Sequence, residues 1–149
     1  QEIKKLSIFG NGKKISYSDV LNSVGDSSLI SINKVCDNLF ISNKASYFYD
    51  KIVEQGYNYI IVLRSLLSHF YLLLTFKEQR NQEYINFPAS IHFSRYESIR
   101  KQIRLLNKKK INTTIHTIYS LEGICKKEYR LANLLIKKFL DSCSRINRY

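Results

Sequence analysis

Three histidines and three cysteines are the side chains of this sequence that most often support catalysis or bind metals. His69, His92 and His116 stand far apart, and none has a carboxylate or a second ligand at the spacing of a catalytic pair or a zinc site. His69 falls on the apolar side of its predicted helix, where a hydrogen-bonded histidine at the edge of the core is the commoner role. We therefore predict no catalytic residue, no metal ligand and no cofactor.

The cysteines and the short motifs agree with that prediction. Cys36, Cys125 and Cys143 are an odd number, lie far apart and form no CxxC pair, so a disulfide framework is not expected. We predict buried thiols that pack as small apolar side chains. The sequence also lacks the glycine-rich motifs that bind nucleotide phosphates and the serine motif of hydrolases.

Glu122 is the acidic residue in the most unusual position, because it falls within an apolar helical stripe. The stripe consists of Ile111, Ile115, Ile118 and Cys125. A carboxylate in such a place needs a partner. Lys126, one turn later, is the nearest candidate, and Arg64 on a neighbouring helix is a more distant one. We predict a structural ion pair rather than a general acid, because no second carboxylate or histidine accompanies Glu122.

The net charge of +12 is concentrated in the last third of the chain. Residues 100–149 carry 13 Lys and Arg against 3 Asp and Glu, whereas residues 1–99 carry 11 against 9. Six basic residues lie close together: Arg100, Lys101, Arg104, Lys108, Lys109 and Lys110. Such a run could contact DNA or an acidic partner, or be the solvated surface of a lysine-rich protein. It has no interleaved aromatic residues and no helix-turn-helix pattern, so we expect non-specific contacts only.

The composition predicts a mostly helical protein, since one proline and five glycines leave few turns. Helices are therefore the elements that position the histidines, the cysteines, Glu122 and the basic residues. Apolar periodicity predicts helices at 2–9, 18–25, 31–41, 43–55, 62–80, 94–107, 112–127 and 129–143, with a loop at 81–93. Ser31, Ser42 or Asn43, and Ser94 are predicted N-caps, and Gly56 a helix end. We predict Tyr47, Leu131 and Leu134 to face the core and Arg95 to face solvent.

The most apolar segment is VLRSLLSHFYLLLTFKEQR, residues 62–80. On a helix it presents one polar line, formed by Arg64, Ser68, Tyr71, Thr75 and Glu78, and apolar residues elsewhere. A charge at the centre of a membrane costs about 3 kcal/mol, and the apolar stretch is short and interrupted by polar residues. We therefore predict the central helix of a bundle, with no membrane contact.

Several segments together resemble the C-terminal part of the delta subunit of the bacterial DNA polymerase III clamp loader. In chain order they are EIKKLSIF, ISYSDVLNSVGDSS, KVCDNLFISNKASYFYDKIVEQG, YIIVLRSLLSHFYLLL and SLEGICKKEYRLANLLIKKFL. The leucine-rich helix that begins with Leu-Arg and the Glu-to-Lys spacing of Glu122 and Lys126 belong to this resemblance. It covers residues 1 to about 140.

The resemblance implies an all-α fold with two parts, a remnant of the AAA+ lid domain and linker at 1–30 and a helical collar domain at 31–149. It implies a non-catalytic clamp-loader component in DNA replication, with the gamma/tau and delta-prime subunits as partners. The sequence shows no secretion-signal pattern, so we expect a cytoplasmic location. In that family the sliding clamp is contacted through an N-terminal domain outside this chain. The chain has no Met and begins at Gln1, so we expect a piece of a longer protein. The alternative is a small basic helical module that binds nucleic acid.

Overall fold

The computed structural model describes residues 27–79 and 85–145, and it shows an all-α bundle, as predicted. The α-helices are α1 Ser27–Asn38, α2 Ala45–Glu54, α3 Tyr59–Glu78, α4 Tyr96–Leu105, α5 Lys108–Lys127 and α6 Ala132–Arg145. Short 3₁₀-helices, Phe93–Arg95 and Tyr129–Leu131, precede α4 and α6. The helices predicted at 2–9 and 18–25 lie outside the described residues, as does the lid remnant predicted at 1–30 except for residues 27–30, which belong to α1.

The helices share one apolar core. α1 packs against α2, α3 packs along α5, α2 contacts α6, and α4 contacts α3 and α1. Each helix contributes fully buried side chains, among them Val35, Tyr49, Leu66, Ile99, Ile118 and Ile136. Burial of these apolar surfaces is the main stabilising term of such a bundle.

The central helix α3 has the arrangement that its sequence predicts. Its polar line is exposed along its whole length, and its other faces are largely buried. By length and composition alone, α3 could cross a membrane. In the described bundle, 44% of its 18-residue apolar window is buried. Core helices of soluble proteins pass the same test, so this property is weak evidence for a span.

The turn between α1 and α2 differs from the prediction. α1 already includes Ser31, so Ser31 is no N-cap, and the helix ends at Asn38 rather than at 41. The chain reverses at Phe40, whose φ of 61° is left-handed and costs roughly 1–2 kcal/mol for a non-glycine residue. The Phe40 ring is 1% exposed and packs edge-on against Phe70 at 6.1 Å between centroids, and this burial offsets the strain.

α2 begins at Ala45, one or two residues later than predicted. Its N-cap residue Lys44 makes no side-chain cap, although the Ser42 hydroxyl accepts a hydrogen bond from the Lys44 N–H at 3.2 Å. Tyr47 was predicted to be inside and is 58% exposed. The core face is set by Ala45, Tyr49 and Ile52, at helical spacing, and Tyr47 lies on the opposite side. Gly56 ends the segment with φ 78°, as predicted.

The starts of α4 and α5 also differ from the prediction. The residue that caps the 3₁₀-helix before α4 is His92, whose Nδ1 accepts from the Ser94 N–H at 3.3 Å, so Ser94 is not the cap. α5 begins at Lys108 rather than at 112, because the Asn107 side chain accepts from the Lys110 N–H at 2.7 Å and caps the helix there.

The inward face of α6 is shifted from the predicted one. Leu131 is 48% exposed and Leu134 is 52% exposed, although both were predicted to be in the core. The buried residues of this segment are Ala132, Ile136, Leu140 and Cys143. Their spacing of three or four residues defines a face that the leucines do not share.

Candidate functional site

A cleft of about 470 Å³ lies between α1, α3 and the segment that leads into α4. Its polar lining comes from two arginines, three serines, one asparagine and one histidine: Arg64, Arg95, Ser65, Ser68, Ser90, Asn33 and His69. Ile61, Leu72 and Ile91 supply apolar surface. The cleft therefore combines basic and hydroxyl groups with an apolar wall, within the usual size range of ligand pockets.

The inner wall of the cleft is a buried network that joins three helices. The Gln102 side chain of α4 is fully buried and donates hydrogen bonds to the backbone carbonyls of Cys36 at 2.8 Å and Leu39 at 2.9 Å. Its Oε1 is 2.8 Å from Nε2 of His69 on α3. Since both amide protons are used on carbonyls, Oε1 must accept, and His69 carries its proton on Nε2.

Arg95 continues this network towards the cleft. Its Nε donates to both carboxylate oxygens of Asp37 at 3.0 Å, and its Nη2 donates to Asp37 Oδ1 at 2.8 Å. The same Nη2 is 3.1 Å from Nδ1 of His69, which accepts the hydrogen bond. The Arg95 and Asp37 side chains are 17% and 13% exposed, so this bidentate pair is largely removed from water.

The electrostatics of the network favour a neutral imidazole. Burial and the neighbouring Arg95 guanidinium lower the pKa of His69 from 6.5 to about 4, and the hydrogen bond to Gln102 opposes this effect. Burial raises the pKa of Asp37, and the hydrogen bond from Arg95 opposes the rise. With both ring nitrogens engaged, His69 has no free nitrogen with which to accept a proton from a substrate.

A pH dependence of stability follows from the lowered pKa of His69. The unfolded chain binds this proton below pH 6.5, whereas the folded chain binds it only near pH 4, so stability is lost as the pH falls between these values. We expect His69 to contribute roughly 2–3 kcal/mol to this loss. Urea unfolding at several pH values measures it. His69→Gln should flatten the decline between pH 6.5 and 4, and exposed His116→Gln should not; an equal decline in all three proteins would contradict the assignment.

The predicted partner of Glu122 is present. Glu122 Oε1 lies 2.6 Å from Lys126 Nζ, with side-chain exposures of 11% for the glutamate and 52% for the lysine. Arg64 does not take part in this pair and instead lines the cleft on α3. The Glu122 carboxylate is thus held at the edge of the core, where it ties one turn of α5 to the next.

Because Lys126 is half exposed, this pair should contribute little. We expect Lys126→Ala to lower the free energy of unfolding by less than about 1 kcal/mol. Glu122→Leu, which places an apolar side chain in the buried stripe, should be neutral or stabilising. Thermal unfolding of both variants checks the result, and a large loss in Glu122→Leu would show that the carboxylate has another essential contact.

The basic run occupies α4 and the first turn of α5, and its side chains are exposed except for half-buried Lys110. Lys101 pairs with Glu97 at 2.6 Å, and Lys108 pairs with Glu78 at 2.7 Å. The Arg100 guanidinium lies 5.4 Å from the centre of the Phe87 ring. Ion pairing thus reduces the positive charge of this surface, which lies apart from the lining of the cleft.

Sequence reasoning indicated one residue of the buried network, His69, as a hydrogen-bonded histidine at the edge of the core, and missed the other three. Arg95 was predicted to face solvent, and Asp37 was not considered. A signal for Gln102 was present, since it falls within the apolar spacing of Ile99, Ile103 and Leu106 just as Glu122 does in α5. No local signal indicated Arg95, because its partner Asp37 lies 58 residues earlier in the chain.

The thiols are free and buried, as predicted. Burial raises the pKa of Cys36 to about 12 and that of Cys143 to about 11, and it also raises the pKa of Cys125. All three are therefore protonated and unreactive near neutral pH. Within residues 27–79 and 85–145, no group of His, Cys, Asp or Glu side chains could hold a metal ion.

Several exposed apolar side chains lie close together in the sequence, around the junction of α5 and α6. Ile124 is 49% exposed, Tyr129 is 64%, and Leu131 and Leu134 are about half exposed. Four large apolar residues thus reach solvent within eleven positions of the chain. We refer to these four residues as the junction surface.

Comparison of the chain with protein-family models, with curated proteins and with solved structures gave no match.

Proposed function

We propose that this chain is the collar part of a clamp-loader delta subunit and that it serves the assembly of the loader during DNA replication. The observation that carries the proposal is the junction surface, because exposed large apolar side chains are enriched at protein–protein interfaces and four of them lie within eleven positions of this chain. The junction surface lies within SLEGICKKEYRLANLLIKKFL, one of the segments that resemble the delta subunit. The all-α bundle agrees with the fold that the resemblance implies.

A non-catalytic role fits the chemistry of the described residues. The cleft contains no paired carboxylates, and its histidine is held neutral between Arg95 and Gln102. The proposal therefore assigns to this chain the binding of the gamma/tau and delta-prime collars in the cytoplasm. Clamp opening is assigned to another part of the delta subunit.

The test is to mix the chain with the collar domains of the other loader subunits and to measure the mass of the complex by light scattering. We expect a defined complex with the wild-type chain. Leu134→Glu should weaken it at least tenfold, since it places a charge in the apolar contact. Asn86→Glu, which adds the same charge at an exposed position in the loop before α4, should leave it unchanged. No complex with any of these collars would refute the proposal.

A second candidate is a nucleic-acid-binding module, which the exposed basic run favours. Arg100, Arg104 and Lys109 are exposed, and no described carboxylate lies within ion-pair distance of them. Anisotropy of labelled duplex DNA at increasing salt would test it. This candidate predicts that the logarithm of the binding constant falls linearly with the logarithm of the salt concentration, with a slope of about −0.9 per neutralised phosphate. Binding should be lost when Arg100, Arg104 and Lys109 are all replaced by glutamine. If the chain also joins no collar, the nucleic-acid function replaces the assembly function.

A further inference from the structure

We propose that the cleft between α1, α3 and the segment before α4 binds the carboxylate of an acidic side chain from a partner protein. The cleft is a different surface from the junction surface, and the proposed contact in the cleft is polar. It rests on the assembly function for the source of the carboxylate, but carboxylate binding itself can be measured on this chain alone.

The first donor is Arg95, which is fixed in place on one side only. Its Nε and Nη2 are held by Asp37 and His69. Its Nη1 makes no hydrogen bond to any residue that the structure describes, while the side chain lines the cleft. A guanidinium already immobilised by three hydrogen bonds to Asp37 loses little further side-chain entropy when an anion binds to the remaining nitrogen.

The second donor is Arg64, which is exposed and lines the cleft from α3. Within residues 27–79 and 85–145 no carboxylate lies within ion-pair distance of it. The hydroxyls of Ser65, Ser68 and Ser90 line the same cleft and make no hydrogen bond to another described residue. The cleft is thus lined by two arginines and three serines, whose guanidinium and hydroxyl groups are hydrogen-bond donors.

The charge of the cleft selects a monoanion. Asp37 neutralises Arg95, His69 is neutral because its Nδ1 accepts a hydrogen bond from Arg95, and Arg64 adds one positive charge. A carboxylate would balance this charge, whereas a phosphate dianion would leave an excess negative charge in a partly desolvated site.

The lining of the cleft favours a carboxylate on a short aliphatic stem over the phosphodiester of a nucleic acid, which is also a monoanion. Ile61, Leu72 and Ile91 provide apolar surface beside the donors, where the methylene groups of Asp or Glu would pack. Proteins that bind a nucleic-acid backbone place a row of cations along it, and this cleft offers one uncompensated positive charge.

The test is an NMR titration of the isotope-labelled chain with sodium acetate, and separately with sodium dimethyl phosphate, at constant ionic strength. We expect acetate to give saturable shifts of the Arg95 Nε–H and of the amides near Ser68. Arg64→Gln should weaken acetate binding about tenfold, the effect of losing one charge-assisted hydrogen bond. Arg104→Gln removes the same charge from an exposed site on α4 outside the cleft and should change it less than about twofold.

Three results would overturn the proposal: no saturable shift with acetate, equal effects of the two arginine variants, or tighter binding of dimethyl phosphate. The source of the carboxylate is tested in the collar-mixing experiment. Arg64→Gln should weaken the complex more than Arg104→Gln does, and equal complexes would show that no partner carboxylate occupies the cleft. A wild-type chain that joins no collar would refute the assembly function, while the acetate titration still decides whether the cleft binds a carboxylate.

Discussion

Replacement of Gln102 by leucine is expected to lower the free energy of unfolding by about 3–5 kcal/mol. Gln102 is fully buried, and its amide group makes three hydrogen bonds to two backbone carbonyls and one histidine. Leucine has a similar size, so it fills the space but leaves the Leu39 carbonyl and the His69 Nε2–H buried without partners. Each such group costs roughly 1–3 kcal/mol.

The effect should extend to the α1–α2 turn. Leu39 precedes Phe40, the residue in the left-handed conformation, and Gln102 anchors the Leu39 carbonyl at 2.9 Å. Loss of this anchor should allow the strained turn to open, so amide hydrogen exchange at residues 39–44 should become faster than in the rest of the chain.

Urea unfolding at neutral pH measures the change, with Lys101→Leu as the control. Lys101 is the preceding residue of α4 and forms an exposed ion pair with Glu97, whose loss should cost less than about 1 kcal/mol. Similar stabilities for Gln102→Leu and Lys101→Leu would show that the buried hydrogen bonds contribute little.

The second large effect is expected for Asp37→Asn, which should destabilise the fold by about 3–4 kcal/mol. The change keeps the size of the side chain but removes the charge that compensates Arg95, whose side chain is only 17% exposed. An uncompensated guanidinium is left in a mostly desolvated position, held between an amide and the neutral His69.

A double variant separates the charge from the packing. Asp37→Leu combined with Arg95→Met removes both members of the pair and should recover at least half of the lost stability, because no buried charge remains. Glu97→Gln, which breaks an exposed pair on α4, is the matched control and should change stability by less than about 1 kcal/mol. A loss in the double variant as large as in Asp37→Asn would contradict the explanation.

The faces of the long helices could be predicted from the sequence because the determinants are local. In α3 and α5, apolar residues three and four positions apart define one face, and the sequence alone indicated the exposed polar line of α3 and the burial of Glu122 beside Lys126. The α-helical class followed in the same way. Gly56 was predicted correctly because a left-handed residue at a helix end favours glycine.

The first residues of the helices, and the burial of apolar residues at the edges of the core-facing sides, were less well predicted. Serines are tolerated both inside helices and at N-caps, so Ser31 and Ser94 misplaced the starts of α1 and α4. His92 caps the 3₁₀-helix before α4, and Asn107, which was not predicted as a cap, sets the start of α5. Tyr47, Leu131 and Leu134 are apolar enough for the core, but the neighbouring helices cover a different face.

Only the tertiary structure decided the candidate site. Asp37, His69 and the pair Arg95 and Gln102 come from three separate segments, and no spacing in the sequence relates the three. The packing of α1, α3 and α4 brings them together, because a buried charge and a buried amide require partners that the chain supplies from distant positions. The sequence determines which faces of each helix are apolar, whereas the contacts between helices determine which polar groups meet, and the cleft is formed where they do.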